Sequence, residues 1–329
     1  YTELFGGEAL TGQGTDPEMM DILQKFIFGE VFRTGDLDKK TRELITCTIL
    51  ATMQTLPQLN AHAKAALNVG VTPIELREAI YLCAPFIGFP KTLNALNTIN
   101  EVFKQQGIAL PLERQATVTE EDRHEKGQAI QSRLYGEGIK EAMRNVPGNM
   151  GPEVERFLTE FCFGDIYTRN GLDLKTRELL AYCILTTLEA ESQLHSHLEG
   201  NLLAGNSKET LTAAVIQCLP YIGFPSAIKA LKIIKESSQP APKKNLVRLS
   251  KITVDPAQLE RYNAFLEEEI EASMRLEPGV LTLYAVSEKE HPNKVTILEI
   301  YADQDAYKSH IQTPHFQKYK QGTLQMVQE

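Results

Sequence analysis

The chain has 329 residues, 42% hydrophobic and 23% charged, a mix that supports buried cores and excludes a disordered, collagen-like or coiled-coil protein. That length accommodates two or three domains. The formal net charge is -9, from 34 basic and 43 acidic side chains. This acidity argues against non-specific nucleic-acid binding, and the longest apolar runs, such as Ala79–Pro85, fall far short of the ~20 residues that cross a bilayer.

In chain order, the first signals are helical. Leu44, Cys47, Thr48 and Ala51 follow a 3.6-residue spacing, as do Leu59, His62, Ala66 and Val69. Thr72-Pro73-Ile74-Glu75 has a capping residue, a proline at the first helical position and a glutamate at the third. Gly70 falls where the preceding helix should stop. Ile87-Gly88-Phe89-Pro90 interrupts a helical stretch, so a new helix or a kink is expected there.

The pattern then recurs. Residues 21–101 align without gaps on 156–236 at a constant offset of 135, with about thirty of 81 pairs identical. Lys40-Thr41-Arg42-Glu43-Leu44 matches Lys175–Leu179, Gln58, Leu59 and His62 match Gln193, Leu194 and His197, and Ile87–Pro90 matches Ile222–Pro225. Ser207 and Gly205 repeat the cap and the stop. Leu134-Tyr135-Gly136-Glu137 echoes Leu4-Phe5-Gly6-Gly7, and 118–145 reads as a leading helix of the second copy. A duplicated bundle of five or six helices per copy is predicted.

After Glu236 the composition changes. Residues 237–244 form a polar, Pro-rich linker. Beyond it, Leu246–Val254 alternates like a strand, Asp255-Pro256 opens a helix to about Met274, and Val280–Val286 and Val295–Tyr301 are further strands. A helix around Asp303–Ile311 completes a β-α-β-β-α order, expected of a small ferredoxin-like α+β domain.

The five cysteines, Cys47, Cys83, Cys162, Cys183 and Cys218, are odd in number, lack C-x-x-C spacing and lie in apolar helical segments. No disulfide framework and no zinc or other metal site is expected, and no cofactor. The chain starts at Tyr1 rather than Met, so an upstream segment is expected. The compartment, cytoplasmic or exported, stays open.

Chemistry concentrates in Glu43 with His62 and Glu178 with His197. Each glutamate and histidine lies on the apolar face of its helix, where an unpaired carboxylate or imidazole is costly. Antiparallel packing would pair them, orienting the ring as a general acid/base unit requires. Two readings stand: acid/base catalysis, or core residues that tie two helices together. Both types persist in both copies while the neighbours Thr46/Ala181 and Ala63/Leu198 differ, which favours the first. Arg42 and Arg177 are placed either to anchor an anionic substrate or to form structural ion pairs. His195, replaced by Asn60 in the first copy, is a surface or pocket-lining position.

The stretches Gly171–Leu179, Gln193–His197 and Tyr221–Pro225 resemble the carboxymuconolactone decarboxylase family, which includes the alkylhydroperoxidase D-like proteins; the resemblance covers about 70% of the chain. It implies all-helical domains that assemble as homo-oligomers, typically trimers or hexamers. In the family's redox branch, two cysteines stand between the glutamate and the histidine; here those positions are Thr55 and Gln58, and Ala190 and Gln193. Peroxide defence by that dithiol route is therefore disfavoured, even where the family label is peroxiredoxin activity. The decarboxylase branch implies a lyase without cofactor. By resemblance, His197 or His62 handles the proton, Glu178 or Glu43 orients it, and an arginine binds the carboxylate. The second copy is preferred because Arg169-Asn170-Gly171-Leu172 matches the family's Arg-x-Gly-Leu turn. The tryptophans usual near that turn are replaced by Phe28, Phe32, Phe163 and Tyr167.

The tail, through His310-x-x-Thr313-Pro314-His315-Phe316 and Tyr319, resembles the antibiotic-biosynthesis monooxygenase-like family, whose domains pair as dimers and include cofactor-free oxygenases and isomerases. By that resemblance His310 and His315 bind an enolic or quinone substrate; barrel packing or capping explains them as well. The expected fold is multidomain: two all-α alkylhydroperoxidase D-like helical domains, 1–110 and 111–238, plus a C-terminal α+β ferredoxin-like domain of dimeric α/β-barrel type, 245–329. The expected function is a carboxymuconolactone decarboxylase-like, cofactor-independent enzyme acting on a small lactone, carboxylate or quinone-like molecule. A non-catalytic binding or assembly protein is the alternative.

Overall fold

The computed structural model describes every residue except 10, 13, 137, 238–244 and 329. The Pro-rich linker therefore lies, apart from Ser237, outside the described residues. The chain divides into two compact units, Tyr1–Ser237 and Ser238–Glu329.

The first unit is helical. Its first copy comprises α1 (Thr2–Phe5), α2 (Pro17–Leu23), α3 (Lys39–Met53), α4 (Leu56–Asn68), α5 (Pro73–Leu82), α6 (Ala84–Ile87) and α7 (Phe89–Gln105). The second comprises α8 (Arg123–Tyr135), α9 (Gly138–Ala142), α10 (Gly151–Phe157), α11 (Leu174–Thr187), α12 (Glu191–Ala204), α13 (Lys208–Ile222) and α14 (Phe224–Glu236). The predicted signals act as capping physics requires. Thr72 and Glu75 form a reciprocal capping box on α5, and Ser207 accepts from the Thr210 amide on α13. Gly205 closes α12 in the left-handed conformation at φ 96°. Gly88 and Gly223, both at φ 79°, separate the paired helices at the Ile-Gly-Phe-Pro segments.

Two features depart from the expected pattern. The leading helix predicted over 118–145 is broken into α8 and α9, because Gly136 takes φ 57° and ψ -139°, a conformation that glycine alone adopts readily. In addition, α2 and α10 run on into widened π-helical turns, Gln24–Glu30 and Leu158–Tyr167. These turns hold Phe28, Phe163 and Tyr167.

The two copies share one apolar core. Ile45, Ile49, Leu59, Leu76 and Phe103 of the first copy join Leu180, Ile184, Leu194, Leu211 and Ala230 of the second. The central helices α3 and α11 pack on each other and, respectively, on α4 and α12, which sets each glutamate-bearing helix against its histidine-bearing partner.

The second unit is an α+β fold. Strands β1 (Leu246–Thr253), β2 (Val280–Ser287) and β3 (Lys294–Tyr301) form an antiparallel sheet of order β1-β3-β2, with Leu246 and Val280 both opposite Tyr301. Helix α15 (Leu259–Leu276) covers one face through Tyr262, Leu266, Glu269 and Ser273, spaced four, three and four residues apart. Glu269 thus occupies an apolar stripe. After α16 (Gln304–His310), a helix beyond the predicted pattern, α17 (Pro314–Thr323), starts at a Thr313 side-chain cap with proline at its first position. Among the described residues, the strand that would complete a four-stranded ferredoxin-like sheet is reduced to a bridge between Val254 and Val327.

Candidate active site

Helix α3 carries Glu43 and α4 carries His62; α11 carries Glu178 and α12 carries His197. Both pairs form. His62 Nδ1 lies 2.8 Å from Glu43 Oε2, and His197 Nδ1 lies 3.4 Å from Glu178 Oε2. Both glutamate side chains are fully buried, whereas the histidines keep 11% and 13% of their side-chain surface exposed.

The two copies hold their carboxylates differently. Glu178 Oε2 accepts from the Tyr135 hydroxyl at 2.6 Å and Oε1 from the Tyr167 hydroxyl at 2.8 Å. Tyr135 Oη also lies 2.8 Å from His197 Nδ1. Because the tyrosine proton goes to the carboxylate, His197 must donate through Nδ1, leaving Nε2 as the basic nitrogen. Burial, followed by the charge of Glu178, pushes both tyrosine hydroxyls well above their ordinary pKa, so they stay protonated donors. In the first copy the corresponding residues are Phe5 and Phe32. Phe5 packs edge-on to His62 at 5.4 Å, His62 donates directly to Glu43, and Glu43 Oε1 is buried without a partner.

Each histidine is also met by the opposite copy. Phe86 is edge-on to His197 at 5.8 Å, and Tyr221 is edge-on to His62 at 5.6 Å. The Tyr221 hydroxyl is buried without a partner, like Glu43 Oε1. Tyr135, Tyr167 and Tyr221 lie within the motifs of the sequence, but the motifs give them no role beside the Glu–His pairs. The Phe5/Tyr135 and Phe32/Tyr167 differences between the copies were the available signal.

The arginines divide. All five N–H groups of Arg42 are engaged, on the carbonyls of Leu37, Val31, Thr34 and Gly35 and on Gln217 Oε1. The fork of Arg42 is thus saturated by the turn it closes and by Gln217. Arg177 is fully buried and donates through Nη2 to the carbonyls of Arg169 and Asn170, while its Nε and Nη1 have no partner. Burial lowers its pKa to about 10. Arg169 grips Glu78 of the first copy at 2.7 and 3.0 Å and stacks over Tyr81 at 4.9 Å. Arg77 reaches the same carboxylate at 3.0 Å, and Arg177 lies 3.8 Å from it. His195 is exposed and apart from these groups.

Surface cavities flank the helical unit among the described residues. One, about 660 Å³, is lined by Phe28, Phe32, Arg33, Lys39 and Lys40 among others. Another, about 580 Å³, is lined by Arg77, Tyr81, Arg114 and Arg169 among others. Neither is lined by a member of a Glu–His pair. All five cysteines are free and buried, and burial pushes the Cys83 thiol up to about 12. Such thiols are poor nucleophiles.

In the second unit His310 and His315 come together on one carboxylate, Glu277 Oε1, at 3.0 and 2.6 Å. Glu269 lies behind His310, 3.7 Å from its Nε2. Among the described residues no helix is long and apolar enough to cross a membrane.

Comparison with known proteins agrees with this architecture. Residues 17–101 and 152–236 each match the carboxymuconolactone decarboxylase family, and 246–322 match the family described as antibiotic biosynthesis monooxygenase. A 4-carboxymuconolactone decarboxylase of Acinetobacter baylyi is 35% identical over 92 residues, 28% of this chain and 69% of that protein. A nitrosuccinic acid decarboxylase of Metarhizium robertsii is 30% identical over 86 residues, 25% of this chain and 60% of that protein. A crystallised protein of Bacteriodes thetaiotaomicron assigned as an antibiotic biosynthesis monooxygenase is 72% identical, spanning 27% of this chain and 85% of its own, with a TM-score of 0.27. With two tandem copies accounting for 17–101 and 152–236, followed by an antibiotic biosynthesis monooxygenase domain, the chain belongs to the carboxymuconolactone decarboxylase family.

Proposed function

We propose that the helical unit is a cofactor-independent decarboxylase acting on a small lactone or carboxylate, with His197 as its proton-handling residue. The observation that carries this reading is the chain His197 Nδ1–H to Tyr135 to Glu178, which leaves Nε2 basic on a side chain that is 13% exposed. Loss of carbon dioxide leaves the electron pair on a conjugated enolate, and that carbon must take up a proton. His197, having taken up a proton from solvent at Nε2, delivers it to that carbon and returns to the neutral imidazole, while the buried carboxylate stabilises the charge on the ring in between. Of the two candidate arginines, Arg177 retains unengaged Nε and Nη1 donors for a substrate carboxylate, although its side chain is fully buried and lines neither cavity. His62 with Glu43 is a second, simpler unit of the same kind. The names of the two decarboxylase relatives support the reaction class.

The test is carbon dioxide release from 4-carboxymuconolactone and from nitrosuccinate by the wild type, His197→Ala, His62→Ala and the double variant. Turnover that falls by roughly 10²–10⁴-fold in His197→Ala is expected. Full turnover in the double variant overturns the assignment. Absence of turnover in the wild type with both probes favours the binding or assembly alternative.

A further inference from the structure

In the second unit, Glu269 on α15, His310 at the end of α16 and His315 on the first turn of α17 each bring one ligand-type atom within 4.8 Å of the others. We propose that these three residues bind a divalent first-row transition metal such as Zn²⁺, a site independent of the decarboxylase reading.

Three observations carry it. The donor set, two imidazoles and a carboxylate, is the kind that such ions take with one coordination position left open. Behind the ligands, Glu277 accepts from His310 Nδ1 and His315 Nε2. A carboxylate behind each imidazole fixes its tautomer, as outer-shell partners of metal sites do, and turns the lone pairs of His310 Nε2 and His315 Nδ1 outward. Finally, Glu269 is 3% exposed. Its Oε1 accepts from the Ser273 hydroxyl at 2.9 Å, but its Oε2 is buried with no partner.

That orphan oxygen decides between a metal and a plain ion-pair cluster. A protonated His310 could satisfy Glu269 by donating through Nε2, yet that nitrogen lies 3.7 Å from Oε1, too long for a hydrogen bond, and Oε2 has no partner. Glu269 sits on the buried stripe of α15, where a carboxylate held by the Ser273 hydroxyl alone is disfavoured by several kcal/mol. Donors around a tetrahedral ion lie roughly 3.3–3.5 Å apart, so closing from 4.8 Å needs about 1 Å of side-chain movement. His315, still partly exposed, offers the ion a way in. The usual spacing signals miss such a site because its ligands lie 41 and 46 residues from Glu269, on three helices.

The test is titration of the chelator-treated full chain with Zn²⁺ by calorimetry, beside Glu269→Gln, His315→Ala and Glu277→Gln. One Zn²⁺ bound per second unit is expected. Affinity should fall at least 100-fold in Glu269→Gln and His315→Ala, and about 10- to 100-fold in Glu277→Gln. Zn²⁺ should also raise the melting temperature of the wild type and leave that of His315→Ala unchanged. His315 is partly exposed, so this variant keeps the unit folded even where Glu269→Gln does not. No saturable binding, or binding unaltered in His315→Ala, overturns the proposal.

Discussion

The Tyr135 hydroxyl lies 2.6 Å from Glu178 Oε2 and 2.8 Å from His197 Nδ1, and its counterpart in the first copy is Phe5. Two hydroxyl oxygens, those of Tyr135 and Tyr167, therefore distinguish the second site from the first, and only that of Tyr135 also meets the histidine. In the second copy a positioning tyrosine relays between imidazole and carboxylate; in the first the histidine meets the carboxylate directly. Replacing Tyr135 with Phe makes the second site resemble the first. The expected outcome is a kcat/KM lowered about 10-fold, less than the loss of His197 itself, with KM little changed. Steady-state kinetics with a turned-over substrate checks it. A kcat/KM equal to wild type removes Tyr135 from the relay.

Gly200 on α12 makes that arrangement possible. A Cβ there would lie 2.9 Å from both Glu178 Oε2 and Tyr135 Oη. The first copy has Ala65 at the same position, beside a phenylalanine that lacks the hydroxyl. Helix propensity alone would make Gly200→Ala stabilising by about 1 kcal/mol. The clash with two polar atoms outweighs it, so the variant should unfold at lower urea concentration than wild type. Ala65→Gly should cost about 1 kcal/mol on propensity grounds. Equilibrium denaturation of both variants measures the contrast.

Glu78 joins the copies. Its buried carboxylate faces Arg77, Arg169 and Arg177. Glu78→Gln leaves buried guanidinium charge uncompensated, and breaking such a pair from one side costs about 3–5 kcal/mol. The denaturation midpoint of the helical unit should fall accordingly. An unchanged midpoint would mean that water already solvates these arginines.

The α5 capping box gives a pH dependence. Burial alone would raise the Glu75 carboxyl, but the Thr72 amide and Lys40 outweigh it and hold its pKa below the ordinary value. A depressed folded-state pKa stabilises the protein above the unfolded value of about 4.3, and that contribution is lost as pH falls through the lower folded value. Glu75→Gln should cost about 0.5–1 kcal/mol at pH 6, and the difference from wild type should shrink by pH 3. Urea denaturation at the two pH values tests the sign.

The outer face of the sheet in the second unit exposes Val247, Leu249, Leu281, Tyr284 and Val286, at 45–62% each. So apolar a strand surface is expected to pair with a second copy of the chain. Leu249→Glu with Tyr284→Glu should lower the mass measured by light scattering. An unchanged mass would place the oligomer contact elsewhere.

What the sequence determined by itself was local or repeated. The duplication, the capping residues, the Gly-Phe-Pro breaks and the strand alternation are written in short-range propensities and in comparison of one copy with the other. The inward direction of Glu43, His62, Glu178 and His197 also follows from helical periodicity. What only the tertiary structure decided depends on contacts between distant segments. Arg42 saturates its donors on a turn and on Gln217, Glu178 is held by tyrosines from two other helices, and Glu78 collects arginines from both copies. Glu269, Glu277, His310 and His315 likewise meet only because α15 and α16 pack on the sheet and α17 packs on α15. Periodicity states which face a side chain takes, but its partner is set by how helices far apart in the chain pack.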